Sequence, residues 1–109
     1  MENKKVEYKS NGVVFGNYWG SGKGVYKARS LKADTLETLL ALNEQGIADG
    51  SLDAGMGYES LIGGFIEVTT TTTIDIEGKP FVNEESETHW IGNIPEEEED
   101  FVVDCFYMM

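Results

Sequence analysis

The stretch FIEVTTTTTIDIEGKPFVNEESETHWI, residues 65–91, decides the fold. Its first part, residues 65–76, consists almost entirely of β-branched and aromatic residues, which favour extended strands. Glu77-Gly78-Lys79 predicts a tight turn, and residues 81–91 predict the returning strand. The stretch therefore predicts a long antiparallel hairpin against which the other elements must pack.

Further strands are expected on the N-terminal side of this hairpin. Residues 6–19 are rich in Val, Tyr and Phe and predict two strands, broken at residues 10–12 because Asn-Gly favours a two-residue hairpin turn. Residues 25–29 predict a third, short strand. Residues 58–62 lie between glycines and predict a short helical turn.

Two helices complete the pattern. Apolar residues at helical spacing predict a helix over residues 35–48, with Asp34 as its N-cap and Gly50 as its stop. Pro95 predicts the start of a second helix, whose first turn is acidic. The order predicts an α+β fold, an antiparallel sheet of about five strands with two helices packed on one face, in a single domain over residues 1–109.

The composition excludes several classes of function. Eight Lys/Arg stand against twenty Asp/Glu, giving a formal net charge of −12, which disfavours direct binding to a nucleic-acid backbone or an anionic membrane. No stretch approaches the ~20 apolar residues that cross a bilayer. The start of the chain has no apolar block behind its lysines, so no signal peptide is expected. The single cysteine, Cys105, excludes an internal disulfide and a cysteine-cluster zinc site.

The charge is unevenly distributed along the chain. Residues 1–32 sum to about +5 and residues 33–109 to about −17. Three interpretations stay open: a solvated surface that keeps a small protein soluble, a surface that meets a strongly basic partner, and head-to-tail self-association of the basic segment with the acidic tail. In the second, carboxylates imitate a phosphate array, so the protein inhibits a nucleic-acid-handling protein as a DNA mimic does. The predicted partner-binding residues are Glu84, Glu85, Glu87, Glu96, Glu97, Glu98, Glu99, Asp100 and Asp104.

A glycine-rich segment offers an alternative site. Gly20-Ser21-Gly22-Lys23-Gly24 is not a Walker A motif, because Asn17 stands where that motif needs glycine and Gly24 where it needs Ser or Thr. A flexible hairpin loop and an anion-binding loop both remain open. A nucleotide sponge would stack the base on aromatic rings and hold the phosphate with cations. The residues predicted for this alternative are Tyr18, Trp19, Gly22, Lys23, Lys27 and Arg29.

The sequence contains no set of residues that indicates an enzyme. It has no spacing typical of a nucleophile and its base, of a metal site or of a cofactor loop, so no catalytic residue, metal or cofactor is predicted. His89 is expected on a strand surface. Residues 96–100 lack the alternating spacing of a calcium loop. The apolar end, residues 106–109, indicates packing into the core or a subunit interface, so a homo-oligomer stays open.

Two segments carry a resemblance. Gly16-Asn17-Tyr18-Trp19-Gly20-Ser21-Gly22-Lys23-Gly24-Val25-Tyr26 and Ser51-Leu52-Asp53-Ala54-Gly55-Met56-Gly57 resemble small proteins of bacteriophages and mobile elements in low-GC Gram-positive bacteria. Small acidic phage proteins of this kind include anti-CRISPR and anti-restriction inhibitors, DNA mimics and sponges for immune signalling nucleotides. The resemblance implies an anti-defence binding protein in the host cytoplasm, and it transfers no site residue.

Overall fold

The strands of this chain pair antiparallel throughout the described sheet. The computed structural model describes residues 3–18, 22–54 and 58–108. Its elements, in chain order, are β1 (Asn3–Tyr18), β2 (Gly22–Lys27), β3 (Leu31–Ala33), α1 (Leu36–Asp49), β4 (Tyr58–Ile76), β5 (Lys79–Gly92) and α2 (Glu96–Met108).

The sheet is built on the long hairpin of β4 and β5. Its order is β2-β1-β4-β5, and β3 pairs with the same edge of β1 as β2 does. The turn between β4 and β5 has two residues, Glu77 (φ 52°) and Gly78 (φ 79°), both in the left-handed region that two-residue hairpin turns require. The predicted hairpin and its turn are confirmed.

β1 is one continuous strand, so the break expected at residues 10–12 is wrong. These residues pair with residues 66–68 of β4, and this long ladder outweighs the local turn preference of Asn-Gly. Gly12 permits the close approach of the two strands, because a Cβ there would lie 2.2 Å from the Phe65 carbonyl oxygen. Residues 58–62 extend the same ladder as part of β4, which corrects the expected helical turn.

One side of the sheet, the α1 face, is covered by α1. Side chains alternate between the two sides of a strand. Buried Val14, Ile66 and Val68 point to this side and pack in one cluster with Leu39 and Ile47 of α1. This cluster is the larger of the two hydrophobic cores.

The other side, the α2 face, is covered by α2. Val13, Phe15 and Phe65 point to this side and form a second cluster with Val102. The Phe65 ring meets the ring of Phe106 edge-on, with centroids 5.0 Å apart, an arrangement that aromatic pairs favour. The second core therefore combines phenylalanine rings with β-branched side chains.

The α+β class and the antiparallel sheet of five strands are confirmed, but the two helices lie on opposite faces and not on one face as expected. The reason lies in the run Val13-Val14-Phe15, which is buried on both sides of β1. A sheet that is apolar on both sides needs a cover on both sides. The strand count agrees because the uninterrupted β1 is offset by the short strand β3, which was not expected.

The first helix begins one residue later than expected. Thr35, and not Asp34, is the N-cap, since its side-chain oxygen accepts a hydrogen bond from the Thr38 backbone N–H at 3.1 Å. Gly50 ends the helix in the left-handed conformation (φ 80°), as predicted.

We expect Leu39→Ala to lower the free energy of unfolding by about 2–5 kcal/mol, because it empties a fully buried position of the larger core. Leu42 on the same helix is 43% exposed, so Leu42→Ala is the matched control and should cost less than about 1 kcal/mol. Urea unfolding followed by circular dichroism measures both variants. Equal losses would contradict the described position of α1.

Candidate functional site

Part of the predicted acidic surface lies on β5, which forms one edge of the described sheet. Glu84, Glu85 and Glu87 are all exposed. Their side chains alternate, so Glu84 points to the α2 face, while Glu85 and Glu87 point to the α1 face. The three carboxylates therefore surround the edge of the sheet and do not share one face.

The remaining predicted carboxylates lie on α2. Residues 96–99 form its acidic first turn, where the positive end of the helix dipole favours negative charge. Asp100 and Asp104 are exposed on the same helix. Glu99 lines a shallow depression with Trp90 at the end of β5, so the first turn of α2 lies beside that end.

The structure divides the nine carboxylates into two groups, three on β5 and six on α2, and α2 begins beside the end of β5 but packs over β1, β4 and β2. Residues 88–92 of β5 separate the groups, a span of roughly 17 Å at the rise of an extended strand. We call the free edge of β5 together with the first turn of α2 the acidic edge. Within the described residues, no group of Asp, Glu, His and Cys has a metal-binding arrangement.

Only one carboxylate on this edge has a side-chain nitrogen within contact distance among the described residues. Glu87 Oε1 lies 2.9 Å from His89 Nε2. His89 points to the α1 face, whereas Ser86 points to the α2 face and its Oγ lies 3.2 Å from Thr69 Oγ1. His89 and Ser86 therefore do not face each other as a base and a nucleophile would.

The cations gather on the opposite side of the sheet. Lys9 of β1 stands directly opposite Lys32 of β3, a pairing of like charges that is unfavourable across neighbouring strands. Both side chains point to the α2 face, on the side of the sheet away from β5. Lys5, Lys23 and Lys27 are also exposed and point to the α2 face, whereas the exposed Lys4 and Arg29 on the same side of the sheet do not.

The shortest ion pair on the basic side is local. Lys5 Nζ lies 2.9 Å from Glu7 Oε1. The pKa of Glu7 is lowered, first by the hydrogen bond that Lys5 donates and then by the positive charge of Lys5; the same contact raises the pKa of Lys5. Both groups are exposed, so solvent screens this pair.

The structure separates the residues of the alternative nucleotide site. Trp19 lies outside the described residues, and for Tyr18 only the backbone is described. Lys23 and Gly22 are exposed at the start of β2. Arg29 lines a small groove against α1 with Leu42 and Asp49.

Lys27 lies elsewhere, in a larger groove on the α2 face. This open groove has a volume of about 670 Å³ and is lined by Lys27, Glu67, Phe106 and Tyr107 among others. Sequence reasoning missed the two aromatic residues as members of a site. The sequence does mark these residues, because the chain ends on an apolar segment. That segment predicted packing into the core or an interface, and not the lining of a groove.

Comparison of the chain with protein-family models, with curated proteins and with solved structures found no match. In the described part of the chain, neither helix has the length and apolar character that crossing a membrane requires.

We expect Lys5→Ala to raise the pKa of Glu7 towards its ordinary value, because the variant removes both the hydrogen bond and the nearby charge. Lys4 points to the other face of β1, so Lys4→Ala is the control and should leave the pKa of Glu7 unchanged. In the unchanged protein, the contact contributes stability at neutral pH that is lost as the pH falls through the lowered pKa of Glu7. NMR titration of the Glu7 carboxyl group measures the shift. A lowered pKa that persists in Lys5→Ala would contradict the assigned cause.

Proposed function

We propose that this protein is a non-enzymatic inhibitor that binds a basic, nucleic-acid-handling protein through its acidic edge. The observation that carries the proposal is the separation of charge across the sheet. Exposed carboxylates follow β5 and the start of α2, while the exposed lysines of β1, β2 and β3 lie on the far side. A surface of one sign attracts a partner of the other sign from a distance and excludes partners of like charge.

The free side of β5 supports this proposal further. An edge strand presents unpaired backbone N–H and C=O groups, to which an extended segment of another protein can bind. Glu84 and Glu85 have no cationic partner among the described ion pairs. A Lys- or Arg-rich segment would supply both the backbone hydrogen bonds and the missing positive charges.

The biological setting of the proposal rests on the resemblance of the two glycine-rich segments. In this proposal the chain is a bacteriophage protein in the cytoplasm of a bacterial host. There it occupies the nucleic-acid cleft of a defence protein or complex. Carboxylates bound in such a cleft compete directly with the phosphates of its nucleic acid.

We expect the tagged protein to capture a basic protein from host lysate and to release it as the salt concentration rises, because salt screens exposed charges. The combined change Glu84→Gln, Glu85→Gln and Glu87→Gln should lower capture at least tenfold. The matched control removes the same number of charges from Asp34, which precedes α1, and from two exposed residues of α1: Asp34→Asn, Glu37→Gln and Glu44→Gln. Mass spectrometry of the eluted proteins and nucleotides measures capture.

Equal loss of capture in the two triple variants would contradict an acidic binding edge, since net charge alone would then explain binding. Unchanged capture together with aggregation of the β5 variant would also contradict it. In that case the glutamates would serve to prevent sheet-to-sheet association.

A second candidate function, sequestration of a nucleotide, is favoured by the groove on the α2 face. Lys27 lies in this groove with Phe106 and Tyr107, which combines a cation for a phosphate with aromatic rings for a base. Glu67 lines the same groove and opposes an anionic ligand. For this reason we rank the nucleotide below the basic protein.

If the second candidate holds, a nucleotide should stay bound at high salt, and Lys27→Ala should weaken its binding at least tenfold. Lys23→Ala is the matched control, because Lys23 lies on the same strand and face but does not line the groove. Calorimetric titration with the eluted nucleotide measures both variants. Equal effects of the two substitutions would contradict binding in this groove.

A further inference from the structure

The outer half of the sheet extends beyond both hydrophobic cores. In the described chain, the buried clusters under α1 and α2 reach no further along the strands than Tyr8 and Val68. The strands continue as residues 3–8 of β1, 70–76 of β4 and 79–85 of β5. We call this three-stranded part the arm; it accounts for much of the 58 Å length of the molecule.

The two faces of the arm differ in chemistry. The α1 face carries an apolar cluster of Val6, Ile74, Ile76 and Phe81 on neighbouring strands, and Phe81 is 58% exposed. Polar residues surround this cluster on the same face: Lys4, Thr70, Thr72, Lys79, Asn83 and Glu85. The α2 face of the arm carries mostly threonines and charged residues; its members include Lys5, Glu7, Thr71, Thr73, Val82 and Glu84. A sheet that is apolar on one side normally packs that side against a second layer.

We propose that the α1 face of the arm is a dimer interface, and that its occupant is the arm of a second copy of this chain. The charge pattern on this face selects a second copy. Lys79 stands at the tip of the arm, and Glu85 stands on the same strand and face near the helices. A two-fold axis that lies between the two sheets, perpendicular to their strands, makes the strands of the two arms run in opposite directions. Each Lys79 then meets the partner's Glu85.

The apolar residues then meet at the centre of the interface. Phe81 lies between Lys79 and Glu85 on β5 and therefore comes close to the axis. Ile76 at the tip packs over the region of Thr70 and Tyr8 in the other copy. Two sheets packed face to face in this way stand about 10 Å apart, with their strands nearly aligned.

The size of the arm suits a reversible dimer. Its face measures roughly 23 Å along the strands and 14 Å across them, from the usual strand rise and spacing. That area, about 320 Å² per copy, lies below the roughly 800 Å² per partner of standard interfaces, so we expect weak association with a dissociation constant in the upper micromolar range.

Two other arrangements fit this surface less well. A basic partner on this face would meet Lys4 and Lys79 at the tip. Pairing of two β5 edges around their centre would bring Glu84 and Glu85 of one copy beside those of the other, which like-charge repulsion opposes. Face-to-face packing pairs Lys79 with Glu85 and leaves the free edge of β5 unpaired; Lys4, level with Phe81 on the outermost strand of the arm, stays at the rim of the interface, where its charge reaches solvent.

Sedimentation velocity over 1–200 μM protein tests the dimer. We expect a concentration-dependent monomer–dimer equilibrium in the unchanged chain. Phe81→Lys should raise the dissociation constant at least tenfold. Val82→Lys is the matched control, because Val82 is adjacent and 61% exposed but points to the α2 face; it should leave the dissociation constant within twofold. Circular dichroism checks that both variants are folded.

A charge exchange tests the arrangement without removing apolar area. Lys79→Glu and Glu85→Lys should each weaken the dimer, since each places like charges together across the interface. The double variant should restore dimerisation, because it rebuilds both contacts with the charges exchanged. Rescue supports the antiparallel two-fold packing.

Three results would overturn the proposal: a monomer at 200 μM, equal effects of Phe81→Lys and Val82→Lys, or a double charge variant weaker than either single one. The dimer does not depend on the proposed function. Lysate capture by monomeric Phe81→Lys reports on the acidic edge alone, so the two proposals fail separately.

Discussion

The pairing of β1 with β4 is the interaction on which the rest of the structure depends. It runs from Asn3↔Asp75 to Tyr18↔Tyr58. Every other strand hydrogen-bonds to one of these two, and both cores form on residues of this pair. Gly12 and Gly16 permit the pairing, since a Cβ at either position would lie within 2.5 Å of a backbone oxygen of β4. A strand pair buried on both faces then requires both helices, one for each side.

The order of the strands converts an uneven charge along the chain into an uneven charge in space. The basic N-terminal residues form β1, β2 and β3, and half of the acidic residues in the rest of the chain lie on β5 and α2. Because β1 and β4 occupy the centre, β5 and its glutamates stand at the opposite edge of the sheet from β2 and β3, whereas α2 begins beside the end of β5 and packs over β1, β4 and β2. The separation of charge between the two edges of the sheet is the physical basis for proposing a basic partner on the acidic edge.

The arm and the acidic edge are compatible in one assembly. Face-to-face packing of two arms about an axis across the strands places β5 of one copy over β5 of the other. Both β5 edges then lie on the same side of the proposed dimer with their backbone groups open. Because the two strands run in opposite directions, the carboxylates of the two copies point to opposite ends of the dimer, and Glu85 is occupied by the partner's Lys79 while Glu84 and Glu87 stay available. Attachment of one partner at two such sites strengthens binding without any new contact.

The sequence by itself determined the α+β class, the hairpin of β4 and β5 with its turn at Glu77 and Gly78, both helices to within a residue or two, and the charge imbalance. These features depend on local propensity, on periodicity and on turn chemistry, which short stretches of sequence carry. Tertiary structure alone decided that Asn11-Gly12 is extended, because a partner strand outweighs a local turn preference. It alone placed the helices on opposite faces, divided the predicted carboxylates into two groups, and separated Lys27 from Arg29. These outcomes depend on which residues far apart in the chain become neighbours, and no single stretch contains that information.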